Sequence, residues 1–495
     1  MEKLKILMIG SEVYPYAKSG GLADVISSLS IALSEQGHEI KIIIPRYYSI
    51  DKDKLSSFHE PMCINMDYGE EWVKIYYTQL LNSNVTVYFI DHEELYGRDG
   101  LYGPSPTEEY SDNSRRFSVL CKGAIQFCKF MQWIPNIMHS HDWQSALVPA
   151  LLYNSDIDPD FHKTGSVLTI HNLGYQGWFS FQDINFAGLD KTTNSHNDGI
   201  FNFLRVGLDK ADILTTVSPT YANEILTDEY GHNLHHILRR RKADLFGVLN
   251  GCDYQTWDPE TDINIKPYNY NSMNLTNKTK IKNEVQKIAG LEINSSVPLI
   301  VLITRLVEQK GIGALCGPSY GSLYSICSEL KVQVIILGTG EYWCEEELTR
   351  LDSKLDNFKF IKAFNNELSH KLEAGADFFL MPSKYEPCGL NQIYSLKYGT
   401  LPIVRNTGGL ADTVKCYSNG SGSGTGFTFN DLTPQAIYDT VSWAVWVWYN
   451  RKNDIENMQQ RAMSENYSWE VSGKKYSEIY QWALDRKLNR YPRSW

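Results

Sequence analysis

Residues 3–12 read KLKILMIGSE, residues 20–40 read GGLADVISSLSIALSEQGHEI, and residues 39–47 read EIKIIIPRY. The first is a short apolar run closed by Gly10, the pattern of a buried parallel strand. In the second, Leu22, Val25, Ile26, Leu29 and Leu33 fall at i, i+3, i+4, i+7 and i+11, which is one face of a helix. Gly37 stands where a glycine ends such a helix. The third stretch is another apolar run. Strand, loop, helix, strand is a βαβ unit, which makes the sheet parallel and the fold class α/β.

The letters GGLAD of residues 20–24 return at residues 408–412. Here TLPIVRN (400–406) reads as a strand, TGGLAD (407–412) as a loop, and a helix should follow. Upstream, PLIVLITR (298–305), KVQVIILGTG (331–340) and ADFFLMPS (376–383) are further buried-strand runs separated by helix-length text. Each half therefore reads as a doubly wound parallel sheet with a glycine pair at the carboxyl end of a strand. Ligands of such sheets bind beyond the strand ends. Paired glycines let a backbone approach closely, and a helix N-terminus behind them favours anions. The repeat implies two facing domains that present anion-seeking loops to one deep cleft. Two tight turns alike by accident is the plainer alternative.

Composition narrows the function. At 495 residues the chain is too long for one core. A net charge of −11 argues against nucleic acid or an anionic membrane as partner. The 31 tyrosines and 12 tryptophans are mostly core, but such a surplus also suits a protein that grips a neutral polymer. Nine cysteines without a C-x-x-C pair read as buried thiols of a reduced compartment, with Cys121 and Cys128 on one helix face. KILMIG is too short for a signal peptide, and no stretch of about 18 apolar residues marks a membrane span. The expected location is cytoplasmic.

Charged residues join the glycines. ITRLVEQKG places Arg305 and Lys310 on the loop after a strand, where a guanidinium fork and an ammonium point charge can meet a diphosphate. A solvated surface pair is the alternative. In SKYEPCGLNQIYSLKYGT, Glu386 precedes Pro387, a first-turn helix residue, and Leu390, Ile393, Tyr394 and Lys397 follow periodically. A carboxylate there is either a cap or an acceptor for sugar hydroxyls.

In order along the chain stand KSGGLADV (18–25), HSHDW (139–143), TIHNLGYQG (169–177), TVSPTYANEI (216–225), GVLNGCDYQTWDPETD (247–262), RLVEQKG (305–311), EPCGLNQIYSLKYGT (386–400) and TGGLADTV (407–414). This series resembles the bacterial glycogen synthase and plant starch synthase family over nearly the whole chain. The resemblance implies two Rossmann-like domains in the GT-B arrangement. It also implies transfer of glucose from ADP-glucose to the non-reducing end of an α-1,4-glucan, such as glycogen or a maltooligosaccharide, with retention of configuration. By the same resemblance, Lys18 and the N–H of Gly21 reach the donor phosphates, and Arg305 and Lys310 clamp them from the other domain. Glu386 binds hydroxyls of the transferred glucose, helped by backbone around Cys388, Gly389, Gly408 and Gly409. His171 and Asn250 contact the sugar, and Asp142 lies near the acceptor or the reacting hydroxyl. Adenine stacks on Phe364, where the family usually has Tyr. Glu386, His171, Lys310 and Arg305 are the expected catalytic set.

No cofactor and no metal are expected. Fixed cations and helix N-termini can stabilise a leaving diphosphate unaided. Asp51–Asp53 and Asp158–Asp160 lie in polar loop text, and His139 with His141 lacks a third ligand pattern. The expected domains are 1–250 and 251–465, followed by a helix over 466–495; the resemblance implies that the first is the acceptor side, the second the nucleotide-sugar side, and that the helix crosses back to the first. The polar, Asn-rich text from Asp258 to Val285 reads as the linker, and SNGSGSGTGF (418–427) as a flexible insertion. The two domains should close on a hinge and expel water.

Three departures from the family stand out. Gly313, Gly317, Pro318 and Gly321 interrupt the helix due after Lys310, since an internal proline costs roughly 3 kcal/mol. Asn391 replaces a usual Thr or Ser, and Gln144 replaces a second His after HDW. The competing classes are a glucan-binding scaffold without turnover and a different GT-B enzyme. A phosphorylase lacks its pyridoxal-lysine motif here, and a dinucleotide dehydrogenase lacks G-x-G-x-x-G after the first strand.

Overall fold

A computed structural model gives the structure of the chain and describes residues 2–105, 108–153, 158–187, 189, 200–318 and 320–490. The chain forms two compact units. The first comprises residues 1–217, 222–251 and 469–495; the second comprises 218–221 and 252–468.

In the first unit, β1 (Lys5–Ile9), β2 (Glu39–Pro45), β3 (Ser56–Ser57), β4 (Met62–Met66), β5 (Gly69–Gln79), β6 (Thr86–Asp91), β7 (Ile137–His141), β8 (Gly165–Ile170), β11 (Ile213–Thr216) and β12 (Leu245–Gly247) make one sheet. A short antiparallel pair, β9 (Trp178–Ser180) and β10 (Ile200–Asn202), stands apart from it. The main order is β12-β11-β8-β7-β1-β2-β6-β5-β3, with β4 on β5. Pairing is parallel from β12 to β6 and antiparallel beyond. The parallel core is what the opening stretch requires: Ile6 pairs with Ile40 on one side and Ile137 on the other. The antiparallel extension carries no βαβ signal and was not foreseen.

The helix predicted after β1 spans Gly21–Glu35 and buries Val25, Ile26, Leu29 and Leu33, while Leu22 stays partly exposed. The Trp469–Arg490 helix belongs to this unit. Its Tyr476, Ile479, Tyr480 and Ala483 share a core with β1, β2 and the Gly21–Glu35 helix. Residues 491–495 of the expected terminal helix lie outside the described residues.

The second unit is a parallel sheet ordered β15-β14-β13-β16-β17-β18, built from β13 (Leu299–Ile303), β14 (Gln333–Leu337), β15 (Phe358–Ile361), β16 (Phe378–Met381), β17 (Leu401–Arg405) and β18 (Phe427–Phe429). Apolar cores cover both faces, as near-continuous apolar strands demand.

The structure corrects three expectations here. The polar text read as a linker contains the Thr276–Ile288 helix, which is integral to the second unit. Its buried Lys278 donates to Ala374 O, Tyr398 O and Thr400 Oγ1 at 2.7–3.1 Å, so polarity serves the interior. The Gly/Ser insertion is tied down: Arg461 donates to the carbonyls of Gly422 and Gly424, and Ser418 N–H to Ser423 O. Pro387 does not open a helix. The helix begins at Asn391: Gly389, at φ +71°, is outside the helical region, and Glu386 O accepts from Gly409 N–H while Pro387 O accepts from Ser218 Oγ. The interruption after Lys310 is present. One short helix, Ile312–Cys316, stops at Gly317 and a second, Ser322–Glu329, follows.

Candidate active site

The residues singled out in the sequence fall into two groups, one in each unit. In the first unit the chain leaves β1 and meets Glu12, a buried carboxylate. Ser19 donates to it twice, N–H at 2.5 Å and Oγ at 2.6 Å, and the Tyr102 hydroxyl donates as well. This anchors the turn that presents Lys18. The Lys18 ammonium pairs with Asp24 at 2.8 Å and is 41% exposed. Gly21 opens the helix, so its N–H is among those that no helical carbonyl reaches.

At the carboxyl ends of β7 and β8, Asp142 and His171 come together. Asp142 Oδ1 accepts from His171 N–H at 2.7 Å, and Asp142 N–H donates to Thr169 O at 2.9 Å. Asp142 sits at φ +54°, a sparsely populated conformation that its neighbours impose. Burial pushes its carboxyl up to about 7 and the His171 imidazole down to about 3, so the imidazole is neutral. Asn250 is buried after β12, and its Oδ1 has no hydrogen-bond partner among the described residues.

In the second unit, Lys310 Nζ lies 2.5 Å from Glu386 Oε2, which also accepts from Ser383 Oγ at 2.9 Å. These side chains are 15% and 8% exposed, so the pair is largely withdrawn from water. Gly311 brings the Lys310 loop against the end of β16: a Cβ there would stand 1.9 Å from Pro382 O. The glycine pair after β17 forms the first turn of a Gly408–Thr413 helix rather than the expected loop before it. A Cβ on Gly408 would meet Glu386 O at 1.9 Å, and one on Gly409 would meet Cys388 O at 2.0 Å. Only bare backbone fits between these loops. Gly389 lies in the same turn, and Cys388 is buried. Arg305 is exposed and makes no ion pair among the described residues, and Phe364 is 93% exposed. Among the described residues no hydrogen bond or ion pair joins either of them to Lys310 or Glu386.

The two GGLAD copies thus share a backbone role, opening a helix after a strand, and differ otherwise. Gly20 faces open space, whereas Gly408 and Gly409 are packed. Asp24 holds Lys18, whereas Asp412 accepts from Thr220 N–H and Oγ1 at 2.8 and 2.7 Å. Sequence reasoning missed Glu12, Tyr102, Asp24, Ser383 and His141. Asp24 carried a signal, since it belongs to the repeat, and His141 did as part of HSHDW, where it was weighed only as a metal ligand.

Residues 5–240 match the family described as Starch synthase catalytic domain, and residues 284–461 match Glycosyl transferases group 1. The chain is 49% identical to the glycogen synthase of Treponema denticola over 98% of its length and 100% of that protein's. The chain belongs to the glycogen synthase and starch synthase family. It is therefore a glycosyltransferase of GT-B type. Glycogen synthase 1 of Geobacter metallireducens is 40% identical, over 99% of this chain and 98% of the relative. The catalytic domain of starch synthase IV from Arabidopsis thaliana, solved bound to ADP and acarbose, aligns with TM-score 0.87 at 30% identity, over 98% of this chain and 100% of that one. Among the described residues no cluster of three His, Cys, Asp or Glu side chains is placed to hold a metal. Nor is any helix among them long and apolar enough to cross a membrane.

Proposed function

We propose that the chain transfers glucose from ADP-glucose to the non-reducing end of an α-1,4-glucan, with retention and without a metal or other cofactor. The observation that carries this reading is the Lys310–Glu386 pair set against the Gly408–Gly409 backbone. Breaking the bond between the anomeric carbon and the phosphate oxygen leaves negative charge on the diphosphate and positive charge on the sugar. A cation and a hydroxyl-accepting carboxylate at adjoining positions serve both ends of that bond.

In this reading Lys310 and Arg305 neutralise the leaving diphosphate, with Lys18 and the Gly21 N–H contributing from the first unit. Glu386 accepts from hydroxyls of the transferred glucose, while Cys388, Gly389, Gly408 and Gly409 offer backbone groups. His171 and Asn250 contact the sugar, Asp142 lies on the acceptor side, and Phe364 offers its exposed ring to adenine. A fixed charge array of this kind needs no reorganisation as charge develops. The Arabidopsis structure, recorded with ADP and acarbose, supports both a nucleotide and a glucan-like ligand for this fold.

The test is incorporation of labelled glucose into glycogen, with ADP-glucose and UDP-glucose offered separately. Transfer from ADP-glucose at the higher kcat/KM is expected. No transfer from either, with glycogen still bound, would make the chain a glucan-binding scaffold and overturn the reading.

A further inference from the structure

β7 ends in two histidines that point the same way, and the two are held differently. The ring centroids of His139 and His141 are 4.1 Å apart, and His141 lies 5.3 Å from His171. His139 is engaged at both nitrogens: Nδ1 meets the Tyr480 hydroxyl at 2.9 Å and Nε2 meets Thr169 Oγ1 at 2.6 Å. Thr169 Oγ1 in turn meets Thr215 Oγ1 at 2.6 Å. Among the described residues the His141 ring has a single hydrogen-bond partner. Its Nδ1 stands 3.0 Å from His171 Nε2, while its Nε2 is buried with no hydrogen-bond partner among the described residues. Its backbone is fixed on both sides by Ser145, whose Oγ accepts from His141 N–H at 2.7 Å and donates to His141 O at 2.9 Å.

This geometry decides where the protons go. Burial holds both rings neutral, His171 down to about 3 and His141 well below the ordinary histidine value. A neutral imidazole has one N–H, and a hydrogen bond between two ring nitrogens needs one proton between them. If His171 supplied that proton, His141 would carry its own on Nε2, a buried donor with nothing to receive it. Orphaned N–H groups are rarer in folded chains than under-used acceptors. If His141 supplies it from Nδ1, the buried Nε2 is a bare lone pair and no donor is stranded.

We propose that His141 is a positioning residue whose Nδ1–H donates to His171 Nε2, orienting the His171 ring and leaving its single N–H on Nδ1. The inference rests on the reading of His171 as a sugar contact. A ring held in this way offers the transferred glucose a donor rather than an acceptor, so a sugar oxygen receives the bond.

The experiment is ¹⁵N NMR of the full chain labelled at histidine, with His171 assigned by loss of its signals in His171→Gln. The wild type should show His171 protonated at Nδ1 and unprotonated at Nε2. Protonation at Nε2 overturns the proposal. Two variants then test positioning. His141→Asn keeps an N–H close to the place of Nδ1, whereas His141→Leu removes it. The Leu variant should lower kcat by about 10–100-fold, the scale of losing an orienting partner behind a site residue, and should shift the His171 signals. The KM for ADP-glucose should move less. The Asn variant should recover most of the kcat and the wild-type His171 pattern. An Asn variant with the wild-type pattern but activity as poor as Leu overturns the proposal, and so does a Leu variant with unchanged His171 signals. Should the Leu variant fail to fold, the wild-type spectrum and the Asn variant still decide. His171→Ala with full activity would sink the sugar-contact reading while leaving the measured tautomer as it stands.

Discussion

Replacing Lys310 by alanine probes an ion pair of the second unit that is largely withdrawn from water. Exposed ion pairs contribute about 0–1 kcal/mol. The Lys310 and Glu386 side chains are only 15% and 8% exposed, with 2.5 Å between Nζ and Oε2. Truncating one partner of such a pair costs about 3–5 kcal/mol, because the remaining charge stays buried and unpaired. Here the Glu386 carboxylate would keep the Ser383 hydroxyl as its side-chain donor. Removing both charges together, in Lys310→Met with Glu386→Gln, leaves no unpaired charge and should return most of that loss. Hydrogen exchange of peptides spanning residues 382–397 reads the difference locally. The low end of the range, about 3 kcal/mol, corresponds to exchange about 100-fold faster in Lys310→Ala. The double variant should exchange close to the wild-type rate. Turnover should fall about 10²–10³-fold in Lys310→Ala, as for loss of one transition-state donor, and the double variant should not recover it. Wild-type exchange rates in both variants would refute the reasoning, since the pair would then behave as a solvated one.

Gly409→Ala forces a Cβ to within 2.0 Å of Cys388 O, so the Glu386–Cys388 turn must move; transfer should fall at least about 100-fold, and a crystal structure of the variant should show that turn displaced. Phe364→Ala should weaken ADP binding by about 1–3 kcal/mol, the scale of base stacking on an aromatic ring, and should leave thermal stability within about 0.5 kcal/mol, because the ring is 93% exposed; calorimetric titration and a melting curve check both. Asp142→Asn should stabilise the protein in a pH-dependent way. Burial raises the folded-state carboxyl from 3.8 to about 7, so its stabilising contribution is complete below about pH 4 and is lost as pH rises through about 7. At pH 8 the loss reaches about 4 kcal/mol at most. Asparagine does not ionise and keeps an oxygen for the His171 N–H, so the gain in melting temperature over wild type should be larger at pH 8 than at pH 5; equal gains would contradict the assignment.

The parallel cores were legible because strands buried on both faces must be apolar throughout, as PLIVLITR and KILMIG are. The Thr276–Ile288 helix was not, because Lys278, Lys282 and Gln286 look like solvent-facing residues. Their long stems cross the interior, and their polar ends find Thr400 Oγ1 at 2.7 Å, Asp377 at 2.6 Å and Gln333 Oε1 at 2.6 Å. Polarity in the text does not mark exposure when carbonyls and carboxylates wait inside. In the candidate site, Lys310 and Glu386 could be named because each follows an apolar strand. Glu12 could not: a lone carboxylate after a strand gains meaning only when the fold delivers Ser19 and Tyr102 to it. His141 hides for a similar reason, since its partner His171 stands on the neighbouring strand's end.

Tyr476, Ile479, Tyr480 and Ala483 complete a core that begins at Leu4. A ribosome therefore releases the first unit's earliest strand long before the helix that seals it. The intervening residues 252–468 all belong to the second unit, which can finish folding first. At typical elongation speeds of about 5–20 residues per second, the nascent first unit waits on the order of 10–50 s with an apolar seam open to whatever chaperone or neighbouring chain arrives.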